Sequence, residues 1–183
     1  MSVITRSWLS FAAIGAGVIH LALVISSPPA IGVPLAIFGL VELAWGLLIL
    51  VKDRLLVPRL AKAGAIAPLL LWSLLTVTAT LLAAPQIASS LRFVPMGIAG
   101  LLELFVAAVL SVMSRRASDS DRPERPATPV GAVRYLSAVI LAGVLVGALT
   151  TPALAATQAG SVAREHGGTM GGMMTMNMPG MGH

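Results

Sequence analysis

The sequence contains no cysteine, and only 10% of its 183 residues are charged. The absence of cysteine excludes disulfides, thiolate metal sites and cysteine nucleophiles. Soluble domains carry about 25% charged residues, whereas 57% of the residues in this chain are hydrophobic. A soluble protein of this size cannot bury so much apolar surface. The composition therefore excludes an ordinary soluble enzyme and predicts a membrane protein.

Five long apolar runs predict five transmembrane helices in an all-α integral membrane bundle. About 20 apolar residues are needed to cross the hydrocarbon core of a bilayer. Inside lipid such runs must be helical, because every backbone polar group needs a partner within the segment. The five runs are Trp8–Ile25, Ile31–Val51, Ala63–Ala84, Val94–Met113 and Tyr135–Ala155. The predicted partner of these helices is the lipid bilayer.

The basic residues predict how the bundle is oriented. Ten of the 12 lysines and arginines fall on one side of a five-helix path, namely Arg6, Lys52, Arg54, Arg59, Lys62, Arg115, Arg116, Arg122, Arg125 and Arg134. The opposite side holds only Arg92 and Arg164. Cytoplasmic loops are enriched in lysine and arginine, so we expect a cytoplasmic N-terminus and an extracytoplasmic C-terminus in a bacterial plasma membrane. The net charge of +5 then reflects topology, and we expect no nucleic-acid partner.

The second and fourth runs contain an internal two-helix repeat. Residues 33–43 (VPLAIFGLVEL) align with residues 94–104 (VPMGIAGLLEL) at a constant offset of 61, and seven of the eleven pairs are identical. Leucine matches are common between membrane helices, but Val-Pro, glycine and glutamate in register are not. We interpret the first four runs as two hairpins from one ancestral hairpin, related in parallel about an axis along the membrane normal.

The repeat places Glu42 and Glu103 at equivalent depths near the middle of their spans. A carboxylate at that depth costs a few kcal/mol. His20 lies somewhat past the middle of the first run, and its counterpart at the same offset is Leu81, so the histidine is not part of the repeat. One hypothesis is a polar site of these three residues that binds a cation or relays protons. The alternative is that protonated glutamates fix helix packing, and Gly39 and Gly100 would then permit close helix approach.

The C-terminal tail is rich in methionine. Six of the nine methionines lie within twelve residues, and two histidines flank them; the set is His166, Met170, Met173, Met174, Met176, Met178, Met181 and His183. Glycine, threonine and asparagine surround these methionines without helical or strand periodicity, so packing in a core does not explain them. We therefore expect a disordered tail.

Thioether sulfur favours soft metal ions, above all Cu(I), and imidazole also accepts Cu(II). The tail composition therefore predicts copper as the cofactor, whereas zinc is disfavoured without cysteine or clustered histidine and carboxylate. The alternatives are a low-complexity tail without function and the scavenging of oxidants by methionine.

The predicted organisation has four parts. Residues 1–116 form a four-helix unit, residues 117–133 a polar, proline-rich cytoplasmic linker, residues 134–156 the fifth helix, and residues 157–183 the external tail. Ala153-Leu154-Ala155 matches the A-x-A pattern of a signal-peptidase site. The favoured interpretation is a plain transmembrane helix with small residues at its exit.

Two segments carry resemblances to known proteins. The tail resembles the Met/His-rich segments of bacterial periplasmic copper-resistance and copper-transport proteins. The membrane part, with GVIHLAL in the first run, GLVELAWGLLIL in the second and TTPALAAT at the end of the fifth, resembles small uncharacterised actinobacterial membrane proteins. These resemblances imply a location and a metal, but no mechanism.

The leading expectation is a membrane-anchored protein that captures copper in its external tail for buffering, resistance or delivery. Its partner would then be a copper exporter, a copper-dependent oxidase or another copper protein. A second hypothesis is a small proton- or cation-coupled transporter that uses His20, Glu42 and Glu103. A third is a scaffolding subunit of a membrane complex. No phosphate loop, nucleophile elbow or HExxH motif is present, so we do not expect an enzyme.

Overall fold

The structure, a computed structural model, describes residues 2–52, 58–83, 92–118 and 131–172, with the backbone alone described at 117–118 and 167–172. Within these ranges the chain forms six helices: α1 (Val3–Val24), α2 (Pro29–Val51), α3 (Pro58–Leu81), α4 (Phe93–Ser118), α5 (Ala132–Ala155) and α6 (Gln158–Gly172). The first five are long and apolar enough to cross a membrane. The prediction of an all-helical membrane protein with five spans is thus confirmed.

The helices extend beyond the apolar runs where local signals allow it. The α1 helix begins five residues before Trp8 because Ser2 caps it, its Oγ accepting the Thr5 N–H at 3.1 Å. The α3 helix begins at Pro58, a residue suited to the first turn because its ring fixes a helical φ. Apolar length marks where a helix lies in lipid, whereas caps decide where it begins.

The sixth helix was not predicted from the sequence. It follows a break at Thr157, whose Oγ1 accepts the Gly160 N–H at 3.2 Å and so caps the new helix. Its residues are polar and rich in glycine, so they carry no apolar periodicity that would reveal a helix. The tail predicted to be disordered spans residues 157–183, so α6 lies within it. Residues 173–183 lie outside the described residues.

The α1 helix occupies the centre of the bundle. It packs against α2, α4, α5 and α6, while α3 packs against α4 and only sparsely against α2. Helices α1 to α4 therefore form a ring in chain order, and α1 separates the two repeat-related helices α2 and α4. The α5 helix packs outside this ring against α1 and α4.

Two hydrogen bonds near the helix termini connect different helices at the two ends of the bundle. In each case the connected segments are ones that a chain crossing the membrane five times places on the same side. At one end the Arg6 guanidinium donates to the Lys52 carbonyl at 3.4 Å. At the other end the Arg92 guanidinium donates to the Ala156 carbonyl at 2.6 Å, so the start of α4 meets the end of α5. The helix α6 therefore leaves the bundle at the end opposite to Arg6 and Lys52.

Two glycines allow the backbones of α1 and α2 to touch. A Cβ added at Gly17 would lie 2.7 Å from the Gly39 carbonyl oxygen, and a Cβ added at Gly39 would lie 2.9 Å from the Gly17 carbonyl oxygen. Each glycine precedes an ionisable residue by three positions, Gly17 before His20 and Gly39 before Glu42. Close helix approach at small residues therefore sets the separation at which His20 and Glu42 meet.

We predict that Gly39→Val destabilises the bundle, because the new side chain would press on the α1 backbone. Overpacking of this kind costs roughly 1–3 kcal/mol. The measurement is thermal unfolding in detergent micelles. The matched control is Gly143→Val in α5, where an added Cβ meets nothing within 4 Å. Equal melting temperatures for the two variants would contradict the close contact.

Candidate intramembrane cation site

One histidine and two glutamates from three helices meet in a single cluster. His20 comes from α1, Glu42 from α2 and Glu103 from α4, and each offers a ligand atom within 4.8 Å of the other two. His20 Nδ1 lies 2.8 Å from Glu42 Oε2, and His20 Nε2 lies 3.4 Å from Glu103 Oε1. The imidazole therefore bridges the two carboxyl groups.

The helix arrangement explains why these distant residues meet. The repeat gives Glu42 and Glu103 the same register on α2 and α4, and α1 lies between those two helices. A side chain from the middle of α1 can therefore face one glutamate with each ring nitrogen. The second hairpin cannot supply an equivalent group, because the counterpart of His20 is Leu81 at the end of α3.

The cluster is buried. The side chains of His20 and Glu103 are 0% and 2% exposed, and the side chain of Glu42 is 12% exposed. The sequence has no lysine or arginine between Leu9 and Val51 or between Phe93 and Ser114, so those stretches of α1, α2 and α4 provide no basic counter-charge. Buried carboxylates are costly unless they are paired.

One contact in the cluster is incomplete. His20 Nε2 and Glu103 Oε1 are both buried, and neither makes a hydrogen bond in the described part of the chain. When Nδ1–H donates to Glu42, Nε2 points a lone pair at a carboxyl oxygen 3.4 Å away. Two facing acceptors repel each other unless a proton or another cation lies between them.

The number of protons that the cluster holds sets its charge. Each of the two imidazole–carboxyl contacts needs one proton to be attractive. With two protons present, one imidazole and two glutamates carry a net charge of about −1 by the side-chain donor inventory. A third positive charge neutralises the cluster, and neutrality is strongly favoured in an apolar interior. With two protons bound, the cluster is therefore one positive charge short of neutrality.

A cavity of about 320 Å³ lies beside the cluster, within the ring of α1 to α4. Glu42 and Glu103 contribute to its wall, and the other lining residues are apolar, aromatic or glycine. Phe38 and Trp45 of α2 and Gly64 of α3 are among them. No pattern in the sequence distinguishes these three residues from ordinary membrane residues. Phe38 and Trp45 flank Glu42 at helical spacing, but an aromatic residue at such a position normally indicates ordinary packing.

The predicted metal ligands of the tail are not brought together in the described residues. His166 is exposed on α6, where its Nδ1 donates to the Val162 carbonyl at 2.8 Å. Met170 lies in α6, described by its backbone alone. The remaining tail candidates, Met173, Met174, Met176, Met178, Met181 and His183, lie outside the described residues. Copper binding by the tail therefore stays a prediction from the sequence.

Comparison with known proteins found no matching family model, no matching curated protein and no matching solved structure. The resemblances of the tail and of the membrane segments stay expectations.

We predict that His20→Leu is more destabilising than removal of the whole cluster. The single substitution leaves two buried carboxyl groups without the imidazole. Removing one partner of a buried ionic contact lowers the free energy of unfolding by about 3–5 kcal/mol. The triple variant His20→Leu/Glu42→Gln/Glu103→Gln removes the charges as well and should unfold at a higher temperature than the single variant. A single variant as stable as the triple variant would show that the carboxyl groups do not depend on His20.

Proposed function

We propose that this chain is a small proton-translocating membrane protein, in which the His20–Glu42–Glu103 cluster takes up and releases the transported charge. One observation carries the proposal. Every histidine and acidic residue within the five apolar helices belongs to this one buried cluster. Ionisable residues inside membrane spans characteristically mark ion pathways and proton relays.

The geometry supports proton exchange rather than a fixed ion pair. Two protons satisfy the two imidazole contacts, and a third can be gained or lost without breaking them. The imidazole faces a carboxyl group with each nitrogen, so both carboxyl groups can stay in contact with it while the third proton is gained or lost. Glu42 and Glu103 both border the cavity, which extends to Leu60 near the beginning of α3. One wall residue of the cavity, Leu60, therefore lies toward the Arg6–Lys52 end of the bundle.

The test is proton flux into liposomes that contain the full chain and an internal pH-sensitive dye. A potassium diffusion potential would drive the protons. We expect acidification faster than in protein-free liposomes, and a drop of at least tenfold toward that background in Glu42→Gln/Glu103→Gln, because amides cannot carry the proton.

The matched control is Glu165→Gln, which changes an exposed glutamate on α6 and should leave the flux unchanged. Melting temperatures of all variants would verify folding. Equal flux in the wild type and in the folded double variant would overturn the proposal and favour a packing role for the glutamates.

A second proposal concerns the tail and is independent of the cluster. We propose that the six tail methionines and the two histidines His166 and His183 capture Cu(I). The supporting observation is their density, six methionines in twelve residues, among residues that offer no apolar core. The tail begins with α6, which leaves the bundle at the end opposite to Arg6 and Lys52. Under the proposed topology, with a cytoplasmic N-terminus in a bacterial plasma membrane, that end is extracytoplasmic.

The copper proposal is tested by replacing all six tail methionines with leucine in the full chain. Leucine keeps the volume and apolar character but removes the thioether sulfur that Cu(I) prefers. Competition with a Cu(I) chelator should show a loss of at least tenfold in affinity. In the control, Met96 and Met113 of α4 are replaced with leucine, and the Cu(I) affinity should be unchanged. Unchanged Cu(I) affinity in the tail variant would exclude the tail as the site.

A further inference from the structure

The cavity beside the cluster combines apolar walls with two carboxyl groups. All four helices of the ring contribute apolar residues to the walls, and α2 and α3 contribute most of them. Ligand pockets typically have mostly apolar walls and a few polar groups that orient the ligand. The volume of about 320 Å³ lies at the lower end of the range for small-molecule sites.

The cavity opens on the side where α2 and α3 pack sparsely. The side chains of Ile37, Val41 and Leu60 border the cavity and are 58%, 59% and 69% exposed. Ile37 and Val41 are apolar residues within the span of α2, a helix apolar enough to cross a membrane, so beside them the opening faces the acyl chains of a lipid bilayer. A ligand dissolved in the bilayer can reach the cluster without crossing the bundle.

A second cavity, of about 370 Å³, lies on the same α2–α3 side but toward the opposite end of the bundle. Pro34 of α2, Trp72 of α3 and Met96 of α4 contribute to its wall. Phe38 borders both cavities and lies one helical turn before Glu42. The aromatic ring of Phe38 therefore marks the boundary between the two spaces, directly beside the cluster.

We infer that the first cavity binds a lipophilic organic cation, whose positive charge lies against Glu42 and Glu103 and whose apolar groups lie against α2 and α3. This inference rests on the proposed role of the cluster as a site for positive charge. The organic cation supplies the third positive charge that neutralises the cluster, so it competes with the transported proton.

The composition of the wall selects this class of cation over an inorganic ion. A metal ion that leaves water needs several oxygen ligands to replace its hydration shell, and the wall offers only the two carboxyl groups. A quaternary ammonium or phosphonium ion carries its own apolar groups and holds little water. The rings of Phe38 and Trp45 can also attract such an ion through their faces.

The test uses tetraphenylphosphonium as the probe and the full chain in lipid nanodiscs. Equilibrium dialysis should show saturable binding that weakens at least tenfold in Glu42→Gln/Glu103→Gln. Lowering the pH should weaken binding in the wild type, because protons compete for the same charge. The uncharged analogue triphenylphosphine oxide, at equal concentration, should not displace the probe.

Gly64 provides a test of the cavity that leaves the carboxyl groups in place. An added Cβ at Gly64 meets nothing within 4 Å, so the side chain of Gly64→Phe would fill open cavity space. We expect at least a tenfold loss of probe affinity in that variant. The matched control is Gly143→Phe in α5, where an added Cβ also meets nothing within 4 Å and which lies outside the cavity wall; its affinity should be unchanged.

The outcomes separate this inference from the proposed function. Absence of saturable probe binding, with proton flux that still depends on Glu42 and Glu103, would overturn the inference and leave the proton-translocating function in place. Unchanged binding in Gly64→Phe would overturn the cavity as the site, provided that the melting temperature shows a folded protein. Displacement by triphenylphosphine oxide would show that the cavity binds lipophilic molecules irrespective of charge, and would equally overturn the inference.

Discussion

The contact of His20 with Glu42 on one side and Glu103 on the other is the constraint on which the rest of the bundle depends. Three groups that each prefer water are held together, and the surrounding stretches of α1, α2 and α4 contain no lysine or arginine. Meeting that requirement places α1 between α2 and α4 and brings the α1 and α2 backbones into contact at Gly17 and Gly39. The cost of burying the charges is thus reduced by a precise helix arrangement.

The two hairpins of the repeat have diverged in the features that build this arrangement. In the first hairpin, Gly17 and Gly39 allow the backbones of α1 and α2 to touch. In the second hairpin, an added Cβ at Gly100 would instead meet the end of the Leu69 side chain at 2.9 Å. The counterpart of Gly17 is Thr78, a larger residue. Close packing is therefore concentrated on α1, and α3 contacts α2 only sparsely. The cavity beside the cluster occupies the space that this looser side leaves.

Much of the bundle followed from the sequence, because apolar length alone dictates helices in lipid. The repeat also showed that Glu42 and Glu103 share a depth. Sequence spacing did not show that α1 lies between α2 and α4, since helix adjacency depends on packing between distant segments. Nor did it indicate the cavity, because Phe38, Trp45 and Gly64 are ordinary membrane residues whose importance comes from what surrounds them. The helix α6 was missed because its polar, glycine-rich residues carry no periodicity.

Two features of the site favour the proposed exchange of charge over a role of the glutamates in helix packing alone. A packing role favours polar groups that satisfy one another completely, since a buried polar atom without a partner costs free energy. His20 Nε2 and Glu103 Oε1 are buried 3.4 Å apart, and neither makes a hydrogen bond among the residues that the structure describes. Packing also favours filled space, yet both glutamates border a cavity of about 320 Å³. An incomplete polar contact beside open space is what a site needs when its remaining positive charge must enter and leave.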